Sequence, residues 1–275
     1  MDEYYKIVAF ILAGLVGLCV GSFLNVVIYR VPAGMRLDKP DSHCPQCKYK
    51  LRWYDNIPVL SYIILGGKCR SCKQKIPFRY TAVEILNMLA WLVSVWMFWE
   101  ESIVFAVVHA LSSSVLICVA FIDLEHMLVF DRFVVILAAL GVVAVFFDPN
   151  YGWLSHLIGG AVGFGFFYGI HALFYYGLKK DALGGGDIKL AAAAGVLLGW
   201  QCLLLSILLA SVSASVILVI WSKKRMQAEE ETEEGQEGEE NPLEFPFAPF
   251  LCAGFFLALS FGAPIIRAYL GLLGL

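Results

Sequence analysis

Charged side chains are scarce in this sequence: Asp, Glu, Lys and Arg together make up 16% of its 275 residues. Hydrophobic residues make up 60%, and the mean hydropathy is +0.75. A soluble chain of this length cannot bury so much apolar surface, because the surface-to-volume ratio of a small domain is too high. The shortage of charge therefore excludes a soluble globular enzyme and indicates a protein that crosses a lipid bilayer.

The first apolar segment lacks the features of a removable signal peptide. The run from Ile7 to Tyr29 is longer than a signal-peptide core, and neither a basic leading region nor a small-residue cleavage site accompanies it. We therefore predict that residues 1–29 form a retained first transmembrane helix.

Apolar runs suited to transmembrane helices recur along the whole chain. They lie near 7–29, 82–99, 102–122, 133–147, 154–178, 188–200, 202–221 and 247–272. This pattern predicts an all-α polytopic membrane protein with about eight transmembrane helices. The runs 133–147 and 188–200 are shorter than the roughly 20 residues of a full span. The runs 188–200 and 202–221 could also form one broken hairpin that turns at 199–201.

Lysine and arginine are nearly absent from one side of the predicted bundle. If the first helix runs from outside to inside, 18 of the 20 basic residues fall on one face, and only Lys6 and Arg267 fall on the other. Basic residues accumulate on the cytoplasmic side of membrane proteins. The loops that we therefore expect in the cytoplasm are 30–81, 123–132, 179–187 and 223–246.

Acidic residues are concentrated in one short run. Eight glutamates lie between Glu229 and Glu240, so the formal net charge of −3 would become +5 without them. The segment 227–240 has no large apolar side chain and cannot bury enough surface to fold. We predict that it is a disordered connector within an acidic linker, 223–246.

Four of the eight cysteines are clustered in the polar loop 30–81. They form two C-x2-C knuckles separated by 21 residues: Cys44, Cys47, Cys69 and Cys72. This is close to zinc-ribbon spacing, and four thiolates complete a tetrahedral shell without an open position. The spacing therefore predicts a structural Zn²⁺ site. The alternative is two disulfides, which the reducing conditions around a cytoplasmic loop disfavour. His43 is next to a ligand but surplus to the shell.

Two aspartates lie at the ends of predicted transmembrane helices on the same face. Asp123 ends one helix, and Asp187 follows Gly184-Gly185-Gly186 at the start of another. Two carboxylates that share a site do not both ionise easily, so one can act as a base toward water while the other acts as an acid. The pair is therefore a candidate for aspartyl peptidase chemistry. The alternatives are a helix N-cap at Asp187 and an interfacial charge at Asp123.

The order and spacing of several motifs resemble the type IV prepilin peptidase family, also called prepilin leader peptidase/N-methyltransferase. The segments that carry the resemblance are GSFLNVVIYR at 21–30, the four-cysteine loop with WYDNIPVLSY at 53–62, RYTAVE at 79–84, ID at 122–123, GGGDIKL at 184–190 and PFAPFL at 246–251. The family's catalytic aspartates match Asp123 and Asp187. Phe130, Gly66 and Ala248 stand where the family usually has proline, arginine and glycine.

The resemblance implies a membrane aspartyl endopeptidase of the bacterial inner membrane, with residues 82–275 as its peptidase domain. Its substrates would be prepilins or pseudopilins, from which it removes a short basic leader at the cytoplasmic membrane edge. Members with the four-cysteine loop also methylate the new N-terminus with S-adenosylmethionine, and we expect this second activity here. The lipid bilayer is the expected surroundings, and no nucleic-acid partner is expected.

Two other classes of function stay open. A proton-coupled transporter could use Asp123, Asp187, Glu84 and His109 as a relay, although such proteins often contain inverted repeats and none is evident. A non-catalytic membrane scaffold could recruit a partner through the zinc loop, which would explain the cysteines but not two aspartates at one face. Glu84 could also pair with a basic side chain or recognise the substrate N-terminus.

Overall fold

The protein is almost entirely helical in a computed structural model that describes residues 3–39, 41–179, 184–231 and 246–274. The α-helices are α1 (Glu3–Arg30), α2 (Leu60–Ile64), α3 (Arg79–Phe98), α4 (Ile103–His126), α5 (Asp131–Phe147), α6 (Trp153–Ala172), α7 (Gly185–Glu231) and α8 (Ala248–Leu272). A 3₁₀ turn covers Trp53–Asp55, and a π-helical turn, Leu173–Leu178, extends α6. The predicted all-α membrane fold is confirmed.

Six helices in the described part of the chain are long and apolar enough to cross a membrane: α1, α3, α4, α6 with its extension, α7 and α8. Helix α5 has 17 residues, so it is about 25 Å long and nearly spans a hydrocarbon core of about 30 Å. The apolar part of α7 covers 38 residues, which is nearly twice the length of one span.

Helix α7 reverses direction at Gly199. This glycine has φ 77° and ψ 163°, a conformation that interrupts the helix and that glycine adopts without steric cost. A Cβ placed on Gly163 of α6 would lie 2.4 Å from the Ala191 oxygen and 3.2 Å from Leu203 Cδ2. A straight helix would separate residues 191 and 203 by about 18 Å. The two halves of α7 are therefore a hairpin, and with α5 they complete about eight membrane-crossing helices.

The helices pack in two groups that meet at α4. Helix α1 packs along α3, while α7 packs between α6 and α8 and also contacts α5. The buried core runs through α4, α7 and α8 and contains Ile122, Leu190 and Phe255, all fully enclosed. Outward-facing apolar side chains such as Phe23 and Leu157 stay exposed, as expected for helices whose outer surface faces lipid.

Polar contacts define two faces of the helical bundle. Arg79, which ends the cysteine loop, pairs with Glu125 near the end of α4, and Lys189 near the start of α7 pairs with Asp131 at 2.8 Å. We call this side the loop face. On the opposite side, Arg267 of α8 donates to Asn150 at 2.8 Å. The structure therefore places the cysteine loop, the end of α4 and the start of α7 on one face.

The acidic run differs in part from its prediction. Helix α7 continues through Glu231, so the N-terminal part of the predicted linker 223–246 is helical. Residues 223–231 consist of lysine, arginine, methionine, glutamine, alanine and glutamate. These residue types have high helix propensity, which outweighs their lack of apolar surface. The rest of the acidic run lies outside the described residues.

Candidate active site and metal centre

Asp123 is held at the loop-face end of α4. The helix ends three residues later at His126. The next residue, Met127, takes a left-handed conformation, and its N–H donates to the Asp123 carbonyl at 2.9 Å. The Asp123 side chain is buried and receives a backbone hydrogen bond from Ala248. Because Ala248 is the first residue of α8, the carboxylate sits at a helix N-terminus, where the helix dipole favours negative charge.

Asp187 lies in the first turn of α7 and is half-buried. Its N–H donates to the Gly184 carbonyl at 3.1 Å, which fixes the start of the helix. A Cβ on Gly186 would lie 2.8 Å from Val129 Cβ, so only glycine lets α7 begin this close to the segment that follows α4. This glycine gives the GGGD motif a packing role that its sequence alone did not reveal.

The two aspartates are brought together. Their carboxylates are close enough for their charges to interact, and the buried Cys252 of α8 is within electrostatic reach of both. They come from different helices, and the packing of α4, α7 and α8 brings them within electrostatic reach of each other. Two carboxyl groups in one partly buried site at a membrane edge can hold one proton between them, which is the arrangement that acid–base hydrolysis needs.

The departures from the family pattern are compatible with the local backbone. Phe130 precedes α5 with φ −80°, which is close to the angle that proline imposes. Ala248 does not have a positive φ, so its position does not require glycine. Gly66 has φ 60°, a conformation that suits glycine better than arginine.

The four loop cysteines form a compact cluster. Their sulfur atoms all lie within 4.8 Å of one another, and the Cys44–Cys72 and Cys47–Cys69 pairs are each 3.9 Å apart. Tetrahedral Zn²⁺ with sulfur ligands at about 2.3 Å would separate the sulfurs by about 3.8 Å. The four thiols therefore fit a metal such as zinc.

The two knuckles share one backbone design. Cys44 N–H donates to Tyr49 O and Cys69 N–H donates to Gln74 O, at 2.9 and 2.8 Å. Each turn passes through a lysine in the left-handed region, at Lys48 and Lys73. His43, which the sequence analysis places outside the shell, has Nδ1 2.9 Å from the Asp41 carbonyl.

The thiols of this cluster cannot all ionise without a cation. A backbone hydrogen bond from Cys72 lowers the pKa of Cys69 to about 7, although burial opposes the shift. The Gln74 backbone also favours the Cys72 thiolate, but burial and the three neighbouring sulfurs raise the pKa of Cys72 to about 11. A bound cation would remove this repulsion. All four cysteines are free, and the two separations of 3.9 Å exceed the roughly 2.05 Å of a disulfide, so the structure gives no support to the disulfide alternative.

The cysteine loop is anchored by two carboxylates that the sequence did not single out as anchors. Asp55 pairs with Arg70 at 2.7 Å and links the two halves of the loop. Burial raises the pKa of Asp55, but Arg70 and the Arg52 N–H outweigh that effect and hold it below its usual value. Glu84 of α3 accepts from the Val59 N–H at 2.8 Å and ties the loop to the membrane helices.

His109 offers no link in a proton relay. Its ring is fully buried, with Nδ1 2.7 Å from Ser94 Oγ and Nε2 2.9 Å from Ser260 Oγ. Both nitrogens are thus occupied by serines, and neither contacts an aspartate. This arrangement favours a packing role, and the transporter interpretation gains no support from it.

Comparisons with known proteins agree with this architecture. Residues 15–98 match the bacterial peptidase A24 N-terminal domain, and residues 110–219 match the type IV leader peptidase family. The chain is 33% identical to a prepilin leader peptidase/N-methyltransferase of Pseudomonas aeruginosa, over 94% of this chain and 93% of the relative. It is 37% identical to a protein of the same name from Myxococcus xanthus, over 82% and 68% respectively.

A third relative is the type 4 prepilin-like proteins leader peptide-processing enzyme of Escherichia coli, which is 38% identical over 69% of this chain and 77% of the relative. No solved structure matches the chain.

Proposed function

The chain belongs to the type IV leader peptidase family, and we propose that it removes the leader of prepilins through Asp123 and Asp187 and methylates the N-terminus that it exposes. The observation that carries the catalytic assignment is the proximity of these two carboxylates at the loop face, one near the end of α4 and the other in the first turn of α7. Prepilin cleavage and methylation are the activities that the names of its relatives describe.

The dyad can hydrolyse a peptide bond with its own two carboxyl groups. The ionised carboxylate takes a proton from a water molecule, whose oxygen attacks the scissile carbonyl carbon. The protonated carboxyl gives its proton to the carbonyl oxygen, and a tetrahedral intermediate forms. When the carbon–nitrogen bond breaks, the first carboxyl gives its proton to the leaving amine. The second carboxylate takes a proton from one hydroxyl of the intermediate, which becomes the new carboxyl group of the product. The site ends with one proton shared between two carboxyls, as it began.

The position of the dyad suits a substrate with a basic leader and an apolar helix. The apolar part can lie in the bilayer beside the outer surface of the bundle, while the leader stays in water at the loop face. Since the dyad sits at the ends of α4 and α7, it meets the junction between these two parts. Gly184 to Gly186 offer backbone without side chains beside Asp187, which lets an extended peptide approach closely.

Zn²⁺ is the metal that best suits the four-cysteine cluster, and Cys44, Cys47, Cys69 and Cys72 would hold it. When bound, the ion supplies charge balance and a cross-link between the two knuckles. It has no open coordination position, so its role is structural. The knuckles, the Asp55–Arg70 pair and the Glu84 anchor then hold the loop against α1 and α3.

The loop face is proposed to be cytoplasmic, in a bacterial inner membrane. This orientation follows from the basic residues, which are concentrated there. Reporter fusions after Leu65 and after Glu234 should both report the cytoplasm, and a fusion after Asn150, on the opposite face, should report the other side. A periplasmic signal from either of the first two fusions would contradict the orientation.

The acidic run 229–240 is proposed as an electrostatic guide for the basic leader. Deleting it should lower the cleavage rate about tenfold at low ionic strength and leave the rate at high salt nearly unchanged, because salt screens the attraction. The measurement is initial cleavage rate against salt concentration, with replacement of the run by a neutral linker of equal length as the matched control for length. Equal cleavage rates at low salt for the native protein and the deletion variant would show that the run does not attract the leader.

A further inference from the structure

A cavity of about 510 Å³ lies between the cysteine loop and helices α1 and α3. This volume is typical of sites for small organic ligands. Its wall includes Cys44 and Cys69 of the metal centre, but neither Asp123 nor Asp187. The cavity is thus separate from the dyad, although both open on the loop face.

Asn25 of α1 presents an unused hydrogen-bond acceptor in this cavity. The residue lines the cavity wall and is 6% exposed, and its Oδ1 has no partner among the described residues. Its Nδ2 donates to the Tyr80 carbonyl at 2.9 Å and to the Gly21 carbonyl at 3.4 Å. These two carbonyls fix the orientation of the amide, because a flipped side chain would place oxygen against oxygen. A buried acceptor of this kind calls for a donor from a ligand.

Glu84 of α3 adds a carboxylate to the same wall. It is 9% exposed and accepts hydrogen bonds from the Val59 N–H and the Ser22 hydroxyl. None of the ion pairs among the described residues includes Glu84. A carboxylate can accept about four hydrogen bonds, so capacity remains. A carboxylate buried without a cation is costly, and a positively charged ligand beside it would remove that cost.

The remaining wall is suited to a larger molecule than an ammonium ion. Tyr29, Tyr62 and Tyr80 contribute aromatic side chains, which can stack on a planar base and attract a cation. The exposed Lys75 adds a positive charge that can meet a carboxylate. The cavity therefore combines acceptors for an ammonium group, aromatic surface and a cationic group for a carboxylate.

We propose that this cavity is the methyl-donor site and binds S-adenosylmethionine, with the ammonium group of its amino-acid part held by Asn25 Oδ1 and Glu84. The inference rests on the proposed methylation activity. The methyl donor carries an ammonium, a carboxylate, a sulfonium and an adenine, and each has a matching group on the wall. Since Cys44 and Cys69 form part of that wall, loss of the metal centre would deform the methyl-donor site directly.

The test is calorimetric titration of the purified full-length, zinc-loaded protein in detergent with S-adenosylmethionine and with S-adenosylhomocysteine, which keeps the ammonium and lacks the sulfonium charge. Asn25→Leu and Glu84→Gln should each weaken binding of both ligands at least about tenfold, the loss expected for a hydrogen bond to a charged group. The exposed Asp38, which pairs with Arg36 outside the cavity, provides the control Asp38→Asn, with unchanged affinity expected. Zinc content and the gel-filtration profile report whether each variant is folded.

Two outcomes would overturn the assignment. The first is unchanged affinity for both ligands in Asn25→Leu and Glu84→Gln. The second is that these variants keep their affinity for both ligands but no longer bind a peptide with the processed pilin N-terminus. The cavity would then hold the acceptor amine. If the native protein methylates its product in either case, the proposed function stands and only the site fails. If the native protein cleaves prepilin but neither methylates nor binds the donor, the methylation proposal fails as well.

Discussion

Asp123→Asn and Asp187→Asn should each reduce prepilin cleavage by at least about a hundredfold, and up to about ten-thousandfold, while protein level and membrane insertion stay normal. Asparagine keeps the size of aspartate but cannot exchange the proton, so the substitution tests chemistry rather than packing. The two losses should be similar, because one carboxyl serves as the base and the other as the acid. The double variant should be no worse than either single variant, since the two groups act as a unit.

A third aspartate on the loop face supplies the matched control. Asp131 lies at the start of α5 and pairs with Lys189 at 2.8 Å, and its side chain is largely exposed. Asp131→Asn should therefore leave cleavage within about twofold of the native rate, as expected for a surface ion pair that contributes little. Cleavage is measured by separating precursor from processed pilin over time. Substantial cleavage by either dyad variant would exclude the two-carboxylate mechanism.

Replacing Cys44, Cys47, Cys69 or Cys72 by serine should release zinc and destabilise the loop. The loop has little hydrophobic core of its own, so the metal supplies much of its folding free energy. Methylation and donor binding should be lost, because two of these cysteines line the proposed donor cavity. Cleavage should fall only in part, because the dyad lies on α4 and α7 and is positioned by α8.

Elemental analysis of freshly purified, reduced protein checks the metal, with peptidase and methyl-transfer assays on the same samples. Cys19→Ser is the matched control, since Cys19 is an isolated cysteine in α1. It should retain full zinc content and both activities. Native protein without zinc would defeat the metal assignment, and equal loss of both activities would contradict the division between dyad and donor cavity.

Much of the fold is readable from hydropathy because lipid-facing helices must be apolar along their whole length. The runs near 7–29, 102–122 and 247–272 lie within or closely match α1, α4 and α8. Gly199, Trp200 and Gln201 suit a turn, so the sequence allows one broken hairpin here as well as two separate helices. The backbone angles of Gly199 and the approach of Ala191 and Leu203 to Gly163 show the hairpin.

The contents of the site were less predictable than its location. The distribution of basic residues predicts that Asp123 and Asp187 lie on one face of the membrane. It does not predict which helices pack together to bring the two carboxylates close. That information resides in the packing of Gly186 on Val129 and in the Ala248 hydrogen bond to Asp123. Asn25 gave no signal at all, because an asparagine in an apolar helix is conspicuous only when its unpaired oxygen and the neighbouring cavity are visible.

The most direct test of the central claim is to weigh the product of the purified protein. A prepilin is incubated with the zinc-loaded protein and S-adenosylmethionine in detergent, and the pilin is analysed by intact-mass spectrometry. The expected product has lost its leader and gained one methyl group, and Asp123→Asn should leave the precursor intact. A native sample in which the precursor keeps its full mass, or a processed pilin from Asp123→Asn at the native rate, would contradict the account.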